Sequence, residues 1–153
     1  MTLYLVQHGK CVSKDEDPQR PLSNMGIKET QKIARLASDG GVQVAAIRHS
    51  GKLRARQTAE VMAAALMVDD VEKMEGLNPL DDVHNIAREG ARHERYMLVG
   101  HLPFMERLAS FLISNNQERG IISFQNSGIV CLEYDGKMWH IRWTLVPNFK
   151  ISC

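Results

Sequence analysis

The stretch LVQHG, residues 5–9, ends an apolar run with a histidine that is followed at once by a glycine. The run predicts a buried strand over 2–7, and a strand that stops at His8 holds an imidazole rigidly at the edge of a sheet. Gly9 has no side chain, so we expect a substrate to approach the backbone there. Taken alone, these residues favour a strand that ends in a half-buried, hydrogen-bonded structural histidine. The rest of the chain decides between that interpretation and a nucleophile.

Strand and helix patterns alternate along the remaining sequence. Helical spacing is predicted over 23–38, 52–66, 82–91 and 104–113, and short strands over 44–48, 70–74 and 95–100. Asp135-Gly136 is a strong hairpin signal between strands over 128–134 and 138–146. This order predicts one α/β domain over 1–153, a three-layer sandwich. Its central sheet is mostly parallel and flanked by helices, with a C-terminal antiparallel hairpin near one edge.

Composition limits the classes of partner. The chain has 153 residues, of which 44% are hydrophobic, enough for one well-buried core. A net charge of +1 gives no electrostatic basis for binding nucleic acid or an anionic membrane surface. No apolar run approaches the roughly 20 residues that a membrane-spanning helix needs. We therefore expect neither a nucleic-acid partner nor a membrane partner.

The cysteines and the start of the chain indicate the compartment. Cys11, Cys131 and Cys153 form an odd set, and the N-terminus runs directly into a strand without an export leader. Reduced thiols and a cytoplasmic location are therefore expected. The sequence lacks His-Glu-x-x-His and Cys-x-x-Cys spacings and the glycine fingerprints of nucleotide binding, so no metal and no cofactor are expected.

Three further segments join a turn or strand end to a predicted helix start: RPLSNMG at 20–26, SGKLRARQTAE at 50–60 and LVGHLP at 98–103. Exposed N–H groups and the positive end of the dipole make such helix starts favourable for phosphate. Arginine adds a fork of donors that matches phosphate oxygens. Together with His8, these segments bring a second histidine and two arginines, Arg20 and Arg54, to such places, which indicates a phosphoryl site.

The motifs and their order resemble the histidine phosphatase superfamily, the phosphoglycerate-mutase-like enzymes, and within it the small SixA-type phosphohistidine phosphatases. The matching residues are QHG at 7–9, RPLSNMG at 20–26, Ser50 with RARQTA at 54–59, and GH at 100–101. One such motif would be weak evidence, whereas four in the same order along most of the chain are specific.

The resemblance implies a role for each matching residue. His8 attacks phosphorus in line and is transiently phosphorylated, while its other ring nitrogen donates to a fixed acceptor such as a main-chain carbonyl. Arg20 and Arg54 bind the equatorial oxygens, and His101 donates a further charge-assisted bond. Ser50 either caps its helix or touches phosphate. Gly9 belongs to the same phosphate-binding set.

Gln7 departs from the family pattern, which has arginine before the nucleophilic histidine. An amide still donates a hydrogen bond but brings no charge, and charge-assisted bonds are roughly twice as strong as neutral ones. Gln7 is therefore either a phosphate-binding donor or a polar strand terminus. Weaker phosphate binding, a different substrate class and loss of catalysis all follow as alternatives.

The sequence does not single out a general acid. Larger relatives take one from the segment after the Gln-Thr-Ala helix, where this chain offers Glu75, Asp81 and Asp82. A phosphohistidine substrate reduces the need for an acid, because an imidazole whose conjugate acid has a pKa near 6.5 leaves far more easily than an alkoxide. The short segment between Thr58 and His101 also leaves little chain for a lid. An open site would admit a phosphorylated side chain of another protein.

These features lead to one functional hypothesis and two alternatives. The hypothesis is a phosphohistidine protein phosphatase whose partner is a phosphorylated protein. The alternatives are a phosphatase of small phosphate esters and, because of Gln7, a non-catalytic phosphate-binding module. A cysteine-dependent phosphatase is disfavoured, because it would need arginine six positions after its cysteine, where this chain has Asp17 and Lys137.

Overall fold

Six strands and four helices form the part of the chain that the computed structural model describes, residues 1–89 and 92–149. The strands are β1 (Thr2–Gln7), β2 (Ala46–His49), β3 (Val71–Lys73), β4 (Tyr96–Gly100), β5 (Ile129–Tyr134) and β6 (Trp139–Leu145). The helices are α1 (Asn24–Asp39), α2 (Leu53–Leu66), α3 (Val83–Glu89) and α4 (Phe104–Ser114). Every predicted element is present, with ends that differ by a few residues. The last two positions of the predicted helix over 82–91, and Cys153, lie outside the described residues.

The strands form one mixed sheet in the order β3-β2-β4-β1-β5-β6. The first four strands in this order are parallel, β5 is antiparallel to β1, and β6 is antiparallel to β5. The predicted sheet, mostly parallel with a C-terminal hairpin at one edge, is confirmed. Parallel neighbours are possible because each crossover carries a helix back over the sheet.

Helices cover both faces of the sheet. Along β1 the side chains alternate, so Tyr4 and Val6 pack with α1 and α2 while Leu3 and Leu5 pack with α3 and α4. All four side chains are buried, which explains why the strand reads as a continuous apolar run. The predicted three-layer sandwich is thereby confirmed. Among the described helices, none is long and apolar enough to cross a membrane.

The sheet brings the sequence motifs to one edge. β1, β2 and β4 run in the same direction, and their register places Gln7 beside Gly100 and His49 beside Val99. The residues that follow these strands therefore emerge side by side, at the carboxyl edge where ligands of open α/β sheets bind. His8, Ser50 and His101 are those residues.

Candidate active site

His8 and His101 meet at the ends of the adjacent strands β1 and β4. The His8 backbone N–H donates to the Gly100 carbonyl over 3.0 Å, which continues the strand pairing by one bond. The centroids of the two imidazole rings are 5.0 Å apart, and the rings are tilted by 54°. Two histidines 93 positions apart in sequence are thus neighbours, as a shared phosphoryl site requires.

The tautomer of His8 follows from its contact with the main chain. Nδ1 lies 2.7 Å from the Gly9 carbonyl oxygen, and because a carbonyl only accepts, Nδ1 carries the proton. Nε2 is then the unprotonated nitrogen. Burial lowers the pKa of His8 to about 4; the Gly9 bond opposes this shift, and the charges of Arg54 and Arg20 add to it. The expected carbonyl partner is confirmed, and His8 is a neutral imidazole at pH 7.

His101 is held by Ser50. Its Nε2 lies 2.6 Å from Ser50 Oγ, which also accepts the Lys52 backbone N–H over 3.3 Å. Only 2% of His101 is exposed, and its Nδ1 is buried without a hydrogen-bond partner among the described residues. Burial first, then His8, Arg54 and Lys52, lower the pKa of His101 to about 3. His101 is therefore neutral at pH 7, so the charge in its expected bond to a phosphoryl oxygen would come from the oxygen and not from the imidazole.

Arg54 lies in the first turn of α2 with its Nε buried and unpartnered within the described part of the chain. Burial lowers the pKa of Arg54, Cys11 opposes this shift, and the charge of Arg20 adds to it. A buried N–H without an acceptor costs free energy that an anion would recover. Arg54 is thus a cation with a free donor beside both histidines.

Arg20 is fixed by the loop that precedes α1. Its backbone has a φ of 51°, in the left-handed region that is uncommon for residues other than glycine. Its Nε donates to the Val12 carbonyl over 3.2 Å and its Nη2 to Cys11 Sγ over 3.4 Å. The guanidinium is therefore anchored by two of its three nitrogens, and its charge reaches His8 and Arg54.

Gly9 serves packing rather than substrate access. Its backbone N–H donates to Thr58 Oγ1 over 2.9 Å, so it is already engaged. A Cβ at this position would lie 2.7 Å from Thr30 Oγ1 and 3.0 Å from Ser127 Oγ. The glycine is needed because protein atoms crowd against it. The expectation that Gly9 opens the backbone to phosphate is wrong.

Gln7 lies on the α4 side of the sheet, as strand alternation from Leu3 and Leu5 dictates. It lines a cavity of 300 Å³ whose wall includes Lys10, Glu29 and Asn126. Its Oε1 is buried and has no hydrogen-bond partner within the described residues. Gln7 therefore ends β1 beside this cavity, and its role as a phosphate donor stays a prediction.

The three candidate acids are engaged elsewhere. Glu75 lies 2.7 Å from Lys73 Nζ with 81% of its side chain exposed. Asp81 accepts the Asn78 backbone N–H over 2.9 Å, and Asp82 accepts from His84. A nearby carboxylate would raise the pKa of a histidine, and no Asp or Glu of the described residues is among the groups that shift the pKa values of His8 and His101. The structure thus leaves Glu75, Asp81 and Asp82 out of the cluster.

Two positioning residues were missed from the sequence. Thr58 donates to the Arg54 carbonyl over 2.7 Å and accepts from Gly9, which joins α2 to the His8 loop. Asn126 Nδ2 donates to the His8 carbonyl over 2.9 Å from the turn before β5. Thr58 lies inside the RQTA motif, and this motif could have identified it as a positioning residue. Asn126 had no such signal.

His49, the last residue of β2, has a structural role. His49 is 6% exposed, and its Nδ1 accepts the Gly51 backbone N–H over 3.1 Å. Burial lowers the pKa of His49. Its ring therefore stabilises the turn that leads into α2.

Comparison with known proteins agrees with this geometry. The sequence model of the histidine phosphatase superfamily (branch 1) matches residues 3–81. An uncharacterised protein of Picosynechococcus sp. is 31% identical over 140 residues, which cover 86% of this chain and 84% of that protein. The chain belongs to the histidine phosphatase superfamily, whose members are phosphatases.

Solved structures define the fold more closely. The protein histidine phosphatase SixA complexed with tungstate is 22% identical and superposes with a TM-score of 0.84, covering 96% of this chain and 97% of that one. A provisionally assigned phosphohistidine phosphatase SixA from Agrobacterium tumefaciens is 26% identical, with a TM-score of 0.77 and coverage of 95% and 97%. The α-ribazole phosphatase from Shigella flexneri is 15% identical, with a TM-score of 0.75 over both whole chains. The fold is that of SixA-type histidine phosphatases.

Proposed function

We propose that this chain, as one domain over 1–153, is a phosphohistidine protein phosphatase that acts through a phosphorylated His8. The observation that carries the proposal is a neutral His8 with Nδ1 bonded to Gly9, set beside Arg54 and His101 in a cluster that holds none of the three candidate carboxylates. Such a site supplies a nucleophile and donors for phosphoryl oxygens but no evident acid. The site therefore suits a leaving group that departs without receiving a proton from the enzyme.

The first step forms a bond between His8 Nε2 and phosphorus and breaks the bond between phosphorus and the substrate imidazole. When the substrate ring is protonated on its far nitrogen, it leaves as neutral imidazole, so the enzyme need not give a proton. Arg54 and Arg20 offset the charge on the equatorial oxygens, and His101 Nδ1 offers a neutral donor. Water then attacks phosphorus, the bond to Nε2 breaks, and inorganic phosphate leaves.

The proposal also covers location and partner. The phosphorylated protein would be met in the cytoplasm, where Cys11 and Cys131, both free thiols here, remain reduced. The neighbours with solved structures include an α-ribazole phosphatase as well as SixA proteins, so small phosphate esters are the alternative substrates. The lack of a cationic residue directly before His8 favours the third candidate, a non-catalytic phosphate-binding module.

Labelling with a phosphodonor separates these candidates. The protein should acquire one acid-labile phosphate, the His8→Ala variant none, and the His140→Ala variant a normal amount, because His140 pairs with Asp135 on the surface of the hairpin. A phosphohistidine protein should then be turned over faster than a panel of sugar and nucleotide phosphates. Preference for the panel would identify an ester phosphatase. Phosphate binding without labelling or turnover would identify a binding module.

A further inference from the structure

A second cleft adjoins the phosphoryl site on the α2 side. It has a volume of 390 Å³ and is lined by Pro18, Gln19, Gly51, Lys52, Leu53, Arg54 and Arg56. Three of these residues are cations, and no carboxylate belongs to the described lining. Arg54 belongs to both the cleft and the phosphoryl site, so the cleft lies directly beside that site.

The positive charge of this cleft is only weakly compensated. Lys52 and Arg56 are exposed, and the Arg56 Nε to Glu60 Oε1 distance of 3.6 Å joins two side chains that are 54% and 61% exposed. Exposed pairs of this kind contribute little, because water and salt screen them. Arg54 keeps a buried, unpartnered Nε. The charge of Lys52 is close enough to help lower the pKa of His101, although burial is the largest cause.

We propose that this cleft binds carboxylate side chains that flank the phosphohistidine of the protein substrate. The inference rests on the proposed function and extends it, because it assigns Lys52 and Arg56 to the selection of acidic substrate segments. The cleft is open and its two outer cations are on long, exposed arms, which suits side chains scattered on a protein surface better than one small rigid anion. The phosphoryl group at His8 and a carboxylate at Lys52 would then be bound together.

Two phosphohistidine peptides test the proposal. They share one sequence, except that four flanking Asp and Glu residues in the first are Asn and Gln in the second. The enzyme should have a kcat/KM about five- to tenfold higher for the acidic peptide at low ionic strength, and high salt should remove the preference. The ratio of kcat/KM for the acidic peptide to kcat/KM for the neutral peptide measures this preference. Lys52→Glu and Arg56→Glu should lower the ratio to one or below. Because the same variant acts on both peptides, any effect of the substitution on the chemical step cancels in this ratio.

Lys137→Glu is the matched control, since it makes the same charge change at the β5–β6 turn, at the opposite edge of the sheet. It should keep the wild-type ratio. Lys52→Gln and Arg56→Gln give the same readout with a smaller charge change if a reversal prevents folding. The proposal for the cleft alone would be overturned by equal turnover of both peptides by the wild-type enzyme. An unchanged ratio in the Lys52 and Arg56 variants would overturn it as well. No turnover of either peptide would overturn the proposed function and the cleft with it.

Discussion

The two site histidines hold their single protons on Nδ1 for different reasons. In His8 the Gly9 carbonyl fixes that proton, whereas in His101 the deciding contact is Ser50 Oγ at Nε2. Ser50 Oγ accepts the Lys52 N–H, and its own hydrogen has no acceptor among the described residues other than Nε2, so the hydroxyl donates to Nε2. Nδ1 of His101, the atom left without a partner among the described residues, then carries the proton and serves as a donor. Ser50 is thus a positioning residue for His101.

Removing the Ser50 hydroxyl should therefore slow catalysis. Ser50→Ala frees His101 to take the other tautomer, and we expect kcat for a phosphohistidine peptide to fall about tenfold, equivalent to roughly 1.4 kcal/mol. Ser50→Thr keeps a hydroxyl and should recover much of the rate. A merely structural role for Ser50 would lower the free energy of unfolding in the alanine variant while kcat per folded molecule stayed the same.

Gln7 offers a second test at this scale. Its buried Oε1 lacks a partner in the described structure, and such an acceptor costs about 1 to 3 kcal/mol. Gln7→Met keeps the volume without the amide and should raise the free energy of unfolding by about 1 kcal/mol, measured by urea denaturation. Vanadate affinity should stay unchanged. A tenfold loss of vanadate affinity would instead assign the Gln7 amide to phosphate binding.

The start of α1 packs closely against the loop that follows β1. Ser23 caps α1 through the Gly26 N–H, and the Ser23 N–H donates to the Lys10 carbonyl over 2.9 Å. A Cβ on Gly26 would lie only 2.0 Å from that same carbonyl oxygen. The Ser-x-x-Gly spacing therefore joins the helix start to the loop that leads from His8 toward Arg20.

Adding a methyl group at Gly26 should separate these two elements. We expect Gly26→Ala to lower the free energy of unfolding by about 2 to 3 kcal/mol, because backbone atoms cannot move aside as a flexible side chain can. Gly40→Ala, at the other end of the helix, has a right-handed φ of −77° and a nearest contact of 3.2 Å, so its effect should be much smaller. The free energies of unfolding are measured by thermal and urea denaturation. If Gly26→Ala and Gly40→Ala lowered them equally, the contact with Lys10 would not restrain α1.

For the molecule as a whole, the buried histidines couple stability to pH. The pKa values of His8 and His101 are lowered to about 4 and about 3, mainly by burial, whereas unfolded histidine titrates near 6.5. Between these values the unfolded chain binds more protons than the folded one, so folding weakens as pH falls from 6.5 toward 4. The contribution of both residues is fully present above pH 6.5.

Lowering the pH from 7 to 5 should therefore destabilise the protein. After allowance for partial solvent screening, the two histidines together should cost about 2 kcal/mol over that range, measured by urea denaturation at each pH. The His101→Asn variant should show roughly half of this dependence. His8 labelling per folded molecule should stay constant from pH 8 to about 5, because its imidazole remains unprotonated. A labelling rate that fell with an apparent pKa near 6.5 would contradict the effect of burial.

The sequence determined the local features of this protein. Residue spacing predicted each helix and strand, because the faces that must be buried repeat every 3.6 or 2 residues. Asp135-Gly136 predicted the hairpin, and the motif order predicted the superfamily. The same motifs selected His8, Arg54 and His101, since strand ends and helix starts are marked by nearby residues.

Only the tertiary structure decided which atoms meet. The sheet order β3-β2-β4-β1-β5-β6 places β4 between β2 and β1, and this brings Ser50 to His101 across 51 positions. Asn126 reaches the His8 carbonyl across 118 positions. Such contacts depend on strand order and register, which local periodicity does not encode. For that reason, three features became known only from the fold: the close packing around Gly9, the cavity beside Gln7, and the polar contacts that hold Glu75, Asp81 and Asp82 away from the two site histidines.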